Sequence, residues 1–340
     1  MRFKQREIGA ITVAAGLAAA ALLAGCGGSG SSGSGGNTPG GASTGKMASA
    51  GAHKKWVIGF SQCTVSEPWR VAMDNALTQE ANKHSDEIQV VTKVANDSSA
   101  QQRADVEDLM NTGMDLLIIS PKEAAPLTGI VKTVYEKHIP VIVLDRGILG
   151  DTYTCFIGGD NRLIGEEAGK YAAKLLNGKG NIVEIQGNVG SPPTKDRHDG
   201  FVKGLADAHA TAKIIATGYG DWKKDKGHDQ MRQILAAQPK IDLVYGQNDS
   251  MAMGAYLAAT EVGRQKDMKF MGIDGLPGPN GGPAEVKEGK LAATFLYPNC
   301  GKEAIDYALQ ILHGKTVPKH VTLRTATITP ENAEQYINPK

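Results

Sequence analysis

Most side chains of this sequence that could recognise a small molecule follow short apolar segments typical of buried β-strands. They combine carboxylates, guanidiniums, a carboxamide and aromatic rings, and they are Ser61, Glu67, Trp69, Arg70, Asp145, Arg146, Arg197, Trp222, Asn248, Asp274 and Tyr297. Asp, Asn and Arg suit hydroxyl groups, which both donate and accept hydrogen bonds, and aromatic rings pack against apolar C–H faces. A sugar presents both kinds of surface, so the set predicts a carbohydrate site.

Sequence motifs of enzymes and of tightly bound cofactors are missing from the predicted fold. The chain contains no nucleophile elbow, no zinc-protease motif and no dinucleotide fingerprint between a predicted strand and helix. The loop at residues 275–282, GLPGPNGG, lacks the lysine of a Walker loop. We therefore predict a binding protein without cofactor or metal. A glycoside-processing enzyme stays open as an alternative, because the separation of two carboxylates that defines it is a property of the folded chain.

The predicted site needs a fold that brings strand ends together. From Trp56 onward apolar segments such as VIVL at residues 141–144 alternate with helical segments, and a second array of similar size restarts near Asn181. Strands this apolar are typical of parallel sheets covered on both faces, and ligands bind beyond their carboxyl ends. A single sheet of so many strands would be unusually wide. We therefore predict an α/β protein with two Rossmann-like lobes.

The N-terminus carries the pattern of an exported protein. Three basic residues precede an uncharged run rich in Ala and Leu, and the sequence LAGC ends at Cys26. This resembles a bacterial lipoprotein signal, which implies a signal peptide at residues 1–25, a lipid on Cys26 and a membrane-anchored, extracytoplasmic protein. A plain signal peptide with a chance cysteine is the alternative. Residues 26–55, rich in Gly and Ser, are predicted to be a flexible linker.

Composition excludes a bulk electrostatic attraction to nucleic acid. The 340 residues carry a formal net charge of +1, and removal of residues 1–25 takes away three basic residues and one acidic residue, which leaves −1. Besides Cys26 the chain has Cys63, Cys155 and Cys300, which we predict to be buried thiols, with a Cys155–Cys300 bridge as the alternative. His198 and His228 lie among charged residues and are predicted to be solvated.

Several longer motifs resemble one known family. They are VIVLDR (141–146), GGDN (158–161), GNVGSPPTKDRHDGF (187–201), GDW (220–222), GQNDSMAMGA (246–255), GIDG (272–275) and GKLAAT (289–294). Together they resemble the type I periplasmic sugar-binding proteins of ABC transporters, typified by ribose binders, over about residues 56–323. The resemblance implies that Trp69 and Trp222 stack on the sugar ring. It also implies that a second set hydrogen-bonds the hydroxyls, namely Asp145, Arg146, Arg197, Asn248 and Asp274.

Four positions depart from the ribose-binding pattern. The pair Trp69-Arg70 replaces consecutive phenylalanines and is similar to galactofuranose-binding relatives, Glu67 replaces an asparagine, and Ile273 replaces an aromatic residue. The ligand is therefore expected to be a hexose or pentose, including furanose forms, rather than ribose in particular.

The resemblance also implies a division into lobes and a mode of action. The N-terminal lobe would comprise residues 56–159 and 298–323, the C-terminal lobe residues 160–297 and 324–340, with a three-segment hinge near Gly159, Tyr297 and Leu323. A monomer would close its lobes on a monosaccharide, complete the Asp145–Arg146 charge pair, and deliver the sugar to a membrane permease driven by an ATPase. A sugar sensor for a chemoreceptor or kinase is the alternative. A repressor of related fold is disfavoured, because a signal peptide stands where its DNA-binding headpiece would be.

Overall fold

The computed structural model of this chain describes residues 55–339. The predicted signal peptide, Cys26 and the linker lie outside these residues, apart from Lys55. In chain order the strands of the described part are β1 (Trp56–Gln62), β2 (Ile88–Val94), β3 (Leu116–Ser120), β4 (Val141–Leu144), β5 (Cys155–Gly159), β6 (Asn181–Gln186), β7 (Lys213–Tyr219), β8 (Leu243–Gly246), β9 (Lys269–Asp274), β10 (Ala293–Leu296), β11 (His320–Leu323) and β12 (Thr327–Ile328). The helices are α1 (Pro68–Lys83), α2 (Ser99–Asn111), α3 (Ala124–Glu136), α4 (Asn161–Leu175), α5 (Pro192–Asp207), α6 (Lys224–Ala237), α7 (Asp249–Glu261), α8 (Gly282–Lys287), α9 (Gly301–Leu312) and α10 (Glu334–Ile337).

The strands form two sheets. The first has the order β11-β5-β4-β3-β1-β2 with parallel neighbours throughout, and the second has the order β12-β10-β9-β8-β6-β7, in which only the β10–β12 pair is antiparallel. We call the first sheet with α1–α3 and α9 the first lobe, and the second sheet with α4–α8 and α10 the second lobe. This architecture confirms the predicted two-lobed α/β fold.

Apolar composition explains the central strands of the first lobe. Every residue of β3 (LLIIS) and of β4 (VIVL) is buried. A parallel strand with helices on both faces of its sheet cannot alternate apolar and polar residues, so the run is almost continuously apolar. The carboxyl end of β4 consequently delivers Asp145 to the edge of the sheet at a defined point.

Edge strands were harder to predict than central ones. The sequence pattern does not predict β11, a four-residue strand whose side chains are half-buried or exposed and which pairs with β5. The pattern predicts strands that begin at Leu291 and near Thr325, whereas β10 begins at Ala293 and β12 at Thr327. An edge strand with one neighbour has no need of a continuous apolar run.

The chain passes between the two lobes after β5, after β10 and after β11. The three connections contain or adjoin Gly159, Tyr297 and Leu323, the positions predicted for the hinge. Side chains at both sheet edges can therefore meet between the lobes.

Two further observations concern the cysteines and the helices of the described residues. Cys63, Cys155 and Cys300 are buried free thiols, so the alternative Cys155–Cys300 bridge is not formed. Within residues 55–339, none of the helices has both the length and the apolar character needed to cross a membrane.

Candidate functional site

A cavity of about 280 Å³ lies between the lobes at the carboxyl ends of the strands. It is lined by Glu67, Trp69, Arg70, Asp145, Arg146, Pro193, Arg197, Trp222, Asn248, Asp274 and Tyr297. The structure therefore brings together every side chain proposed from the sequence except Ser61, and it adds Pro193.

Ser61 does not line the cavity. The residue is fully buried within β1, and its hydroxyl oxygen accepts a hydrogen bond of 3.3 Å from Nε2 of Gln102 on α2. The side chain thus faces the helix layer that covers the sheet. The place of Ser61 near the end of β1 in the sequence predicts the edge of the sheet at which it lies, but not the direction of its side chain.

Asp145 is the most firmly held carboxylate of the cavity. Its Oδ2 accepts a hydrogen bond of 2.5 Å from Nη2 of Arg70, and its Oδ1 accepts one of 2.7 Å from the Tyr297 hydroxyl. Arg146, the predicted partner, is farther away, with 3.8 Å between its Nε and the same Oδ2. Burial alone would raise the pKa of Asp145, but Arg70 and Arg146 hold it below its ordinary value. The carboxylate therefore stays ionised and is paired mainly with Arg70.

Backbone conformation helps to aim Asp145. The residue has φ 65°, in the left-handed region, which Asp tolerates better than most residues. Its amide donates a hydrogen bond of 2.8 Å to the carbonyl of Ile157 on the neighbouring strand. The turn directly after β4 thus points the carboxylate into the cleft.

Arg146 and Glu67 form a looser pair on the same wall. Nη1 of Arg146 donates to the carbonyl of Lys122 at 3.2 Å, whereas its Nη2 is 4.0 Å from Oε1 of Glu67. Glu67 precedes α1 but its side chain makes no capping hydrogen bond. Burial raises the pKa of Glu67, although Arg146 and Arg70 oppose this. Both groups retain hydrogen-bonding capacity for a ligand.

The second lobe contributes Arg197 from α5. Its Nε donates to Oδ1 of Asn161 at 2.8 Å and its Nη1 to the carbonyl of Gln247 at 2.5 Å. The helix α5 can lie against α4 because Gly165 of α4 has no side chain; a Cβ there would be 2.4 Å from the carbonyl oxygen of Arg197. Asn161, the last residue of the GGDN motif, therefore holds a cavity guanidinium in place.

The carboxylate of Asp274 has fewer hydrogen-bonding and cationic partners than that of Asp145. It ends β9 with φ 140°, and no cationic group of the described residues lies within ion-pair distance of its carboxylate. Burial and the neighbouring carboxylate of Asp249 raise its pKa. Asp249 itself accepts hydrogen bonds from Thr294 Oγ1 at 2.6 Å and from the Gly275 amide at 2.9 Å. Asp274 is thus a buried acceptor that still lacks donors.

Two indole rings and a phenol ring supply the aromatic surface. Trp69 Nε1 donates to the carbonyl of Tyr297 at 3.0 Å, and the two rings are 5.1 Å apart. The Trp222 ring lies below two guanidiniums, with Cζ of Arg146 at 5.5 Å and Cζ of Arg197 at 5.3 Å from its centre. Arginines of both lobes thus pack on the second indole.

A short turn with unusual backbone angles holds Trp222. Asp221 and Trp222 both have positive φ, 50° and 68°, and Asn248 Nδ2 donates to the Trp222 carbonyl at 3.0 Å. Asn248 Oδ1 accepts from the Met251 amide and caps α7. The indole passes so close to Gly187 that a Cβ on that residue would lie 2.1 Å from the ring. A side chain at position 187 would therefore clash with the ring.

The His198 side chain is 37% exposed, as expected for a partly solvated residue, but it also has a buried partner. Its Nδ1 is 2.7 Å from Oε2 of Glu184, a fully buried residue of β6, and this hydrogen bond raises the pKa of the imidazole. The His228 side chain is 23% exposed and contacts the exposed carboxylates of Asp229 and Glu261.

The wall of the cavity has no net formal charge. It holds three carboxylates, from Glu67, Asp145 and Asp274, and three guanidiniums, from Arg70, Arg146 and Arg197. A balanced set strengthens hydrogen bonds to a neutral ligand without favouring an anion or a cation. The chemistry of the site is thus recognition of a compact, neutral molecule with many hydroxyl groups.

Known proteins agree with this description. The family profile described as Periplasmic binding protein domain matches residues 58–316. The ribose import binding protein of Salmonella typhimurium is 33% identical over 271 residues, which cover 79% of this chain and 89% of that protein. The galactofuranose-binding protein of Escherichia coli (strain K12) is 30% identical and covers 88% of this chain and 96% of its own length.

A solved structure is also similar in both fold and sequence. The fructose-binding periplasmic domain of a hybrid two-component system superposes with a TM-score of 0.79 at 42% identity, covering 82% of this chain and 92% of that domain. All of these relatives are binding proteins, which confirms the prediction that the chain is not an enzyme. The chain therefore belongs to the type I periplasmic sugar-binding proteins, an extracytoplasmic family.

Proposed function

We propose that this protein captures one monosaccharide, a hexose or pentose that includes furanose forms, in the cavity between its lobes. The observation that carries the proposal is the composition of the cavity wall. Both lobes contribute to a space of about 280 Å³ that combines two indoles with a balanced set of carboxylates and guanidiniums. The names of the relatives, which refer to ribose, galactofuranose and fructose, support a sugar as the ligand.

Capture proceeds by closure of the lobes. A sugar that contacts Asp145 and Arg146 from the first lobe and Arg197 and Asp274 from the second favours the closed state, because only that state offers both sets of contacts. The connections near Gly159, Tyr297 and Leu323 would act as the hinge. The separated lobes would correspond to residues 56–159 with 298–323 and residues 160–297 with 324–340.

Delivery to an ABC permease and its ATPase is the proposed destination of the sugar. The names of the ribose import relatives support this role, and a lipid on Cys26 would keep the protein at the membrane as a monomer. A sensing role is the second candidate, because the similar fructose-binding domain is part of a two-component system. Uptake of the identified sugar in a deletion strain separates the two. If the protein serves transport, uptake of the sugar should fall in the deletion strain. If it serves sensing, the strain should instead lose its transcriptional response to the sugar.

A panel of pentoses, hexoses and polyols tests the proposal. Binding of one member should change tryptophan fluorescence and raise the melting temperature as the sugar concentration increases. Arg146→Ala should weaken that binding by at least roughly 30-fold, because loss of a buried charged partner costs about 2–5 kcal/mol. Arg162→Ala, on the exposed surface of α4, is the control and should bind normally. If no member of the panel binds by either measurement, the sugar assignment is wrong.

A further inference from the structure

We propose that four charged residues outside the cavity, Asp97, Lys122, Asp221 and Lys223, position the two lobes in the closed state and thereby set the affinity for every ligand. We call them the interlobe charge cluster. None of the four lines the cavity. The inference rests on the proposed capture by lobe closure, and it adds residues that do not contact the sugar.

The cluster alternates in charge across the gap between the lobes. Lys122, which follows β3 of the first lobe, has its Nζ 3.3 Å from Oδ1 of Asp221, which follows β7 of the second lobe. Lys223 of the second lobe has its Nζ 2.7 Å from Oδ2 of Asp97 of the first lobe. Within the first lobe, Lys122 Nζ also contacts Asp97 Oδ1 at 3.0 Å. Two of the three ion pairs consequently exist only while the lobes are together.

These ion pairs differ from ordinary surface pairs, which contribute little. The Lys122 side chain is only 6% exposed, and those of Asp97, Asp221 and Lys223 are 20–25% exposed. Charges that are largely shielded from water are screened less by salt, and several pairs that share partners act as a network. Lys122 and Lys223 also hold the pKa of Asp97 below its ordinary value, although burial opposes the shift.

The cluster is connected to the cavity on both sides. In the first lobe, the carbonyl of Lys122 accepts the hydrogen bond from Arg146, and its amide donates to Gln102 Oε1 at 2.8 Å. In the second lobe, Asp221 directly precedes Trp222 in the turn with positive φ. Asp221 is fixed further by Asn188 Nδ2 at 3.0 Å. Each half of the cluster is thus adjacent to a side chain that would contact the sugar.

Residues that act on lobe closure should change the dissociation constants of different sugars in a characteristic way. The apparent dissociation constant equals the intrinsic constant divided by the fraction of protein able to close. Loss of the cluster should therefore weaken all ligands by the same factor. A change in the cavity wall should instead weaken them unequally, because sugars differ in the hydroxyls that each side chain contacts.

The test uses the full chain with Lys122→Met, Asp221→Asn and the double variant. Lys226→Met is the matched control, because Lys226 contacts the same Asp221, at 2.8 Å, but from within the second lobe. We expect Lys122→Met to weaken every sugar that binds by a common factor of roughly tenfold, in the range of typical coupling between sites. Asp221→Asn should add little in the Lys122→Met background, and added salt should weaken wild-type binding more than that of the variant.

Lys223→Met provides an independent variant if Lys122→Met does not fold. It breaks the other pair between the lobes without altering a buried lysine, and we expect the same uniform loss. Unchanged affinities, factors that differ among sugars, or an equal effect of Lys226→Met would overturn the proposal.

A measurement made without sugar tests the role of the interlobe charge cluster separately from the proposed capture of a sugar. In the ligand-free protein the open and closed states are in equilibrium, so small-angle scattering should show a smaller compact fraction for Lys122→Met and Lys223→Met than for wild type and Lys226→Met. If no sugar binds, the assigned function is wrong, and the scattering alone decides the role of the cluster. Identical scattering curves in that case would mean that the cluster does not hold the lobes together.

Discussion

Arg70→Met tests the electrostatic design of the first lobe, because it removes the closest partner of a buried carboxylate. Arg70 and Asp145 are 2% and 3% exposed, and the atoms that pair are 2.5 Å apart. Arg70 also donates a hydrogen bond of 2.7 Å to Ser120 Oγ. Methionine has a similar length and no charge, so the variant isolates the loss of the guanidinium.

The expected loss in free energy of unfolding depends on the partners that Asp145 keeps in Arg70→Met. Removing one partner of a buried ion pair typically costs about 3–5 kcal/mol, since an uncompensated charge is left behind. Asp145 keeps the hydrogen bond from Tyr297 at 2.7 Å and the guanidinium of Arg146 at 3.8 Å. We therefore expect the lower end, about 3 kcal/mol less free energy of unfolding.

Urea unfolding without sugar at pH 7 measures this loss. Arg162→Met is the control, because Arg162 is about half exposed and forms only long ion pairs of 3.7 and 3.9 Å. Its effect should stay within about 0.5 kcal/mol. The double variant Arg70→Met/Asp145→Asn should recover part of the lost stability, because it also removes the unpaired charge.

The pH dependence gives an independent check on the same reasoning. In wild type the pKa of Asp145 is held below its ordinary value, so its contribution is present at neutral pH and is lost as pH falls through the lowered pKa. In Arg70→Met burial should raise the pKa, and the penalty for the charged form should disappear as pH falls. The difference between the two proteins should therefore narrow in acid. A difference below about 1 kcal/mol at pH 7, or one that does not change with pH, would refute the assigned pairing.

Two further predictions concern the second lobe. Gly187→Ala should displace the ring of Trp222, lower the affinity for sugar and reduce the free energy of unfolding by about 1–3 kcal/mol. The control Gly129→Ala should not destabilise the protein, because the space around Gly129 is open. Equal sugar binding by both variants would contradict the assigned ring position. The hydrogen bond to Glu184 raises the pKa of His198, so its contribution is full below the ordinary histidine pKa of about 6.5 and is lost as pH rises through the higher folded value. His198→Gln should flatten the stability profile in that window, and an unchanged profile would count against the interaction.

The sequence predicted the fold well where packing leaves few choices. Strands such as β3 and β4 are buried on both faces, so their residues had to be apolar and the pattern identified them. The edge strand β11 was missed because it has one strand neighbour and little burial, which impose no such pattern. Constraint by burial, rather than strand length alone, decided which elements could be recognised.

The sequence predicts which side chains lie near the cavity better than it predicts how they pair. Side chains after parallel strands meet at one edge, which explains why Asp145 and Asp274 were found. Chain order cannot reveal that Arg70, rather than the adjacent Arg146, is the closest partner of Asp145. That choice depends on where α1 lies relative to β4. Ser61 lies outside the cavity lining for a related reason, because the rule for strand ends fixes the edge of the sheet but not the face toward which a side chain points.

The charged residues of this protein fall into two groups that should respond to different measurements. Arg70 and Asp145 belong to one lobe, so their pairing is complete in the open and closed states alike and should be seen in the stability of the fold. Lys122 and Asp221 belong to different lobes, so their pairing forms only on closure and should be seen in affinity. Stability without sugar should therefore fall far more in Arg70→Met than in Asp221→Asn. A uniform loss of affinity across sugars should distinguish Asp221→Asn, because closure is the one step that every ligand shares.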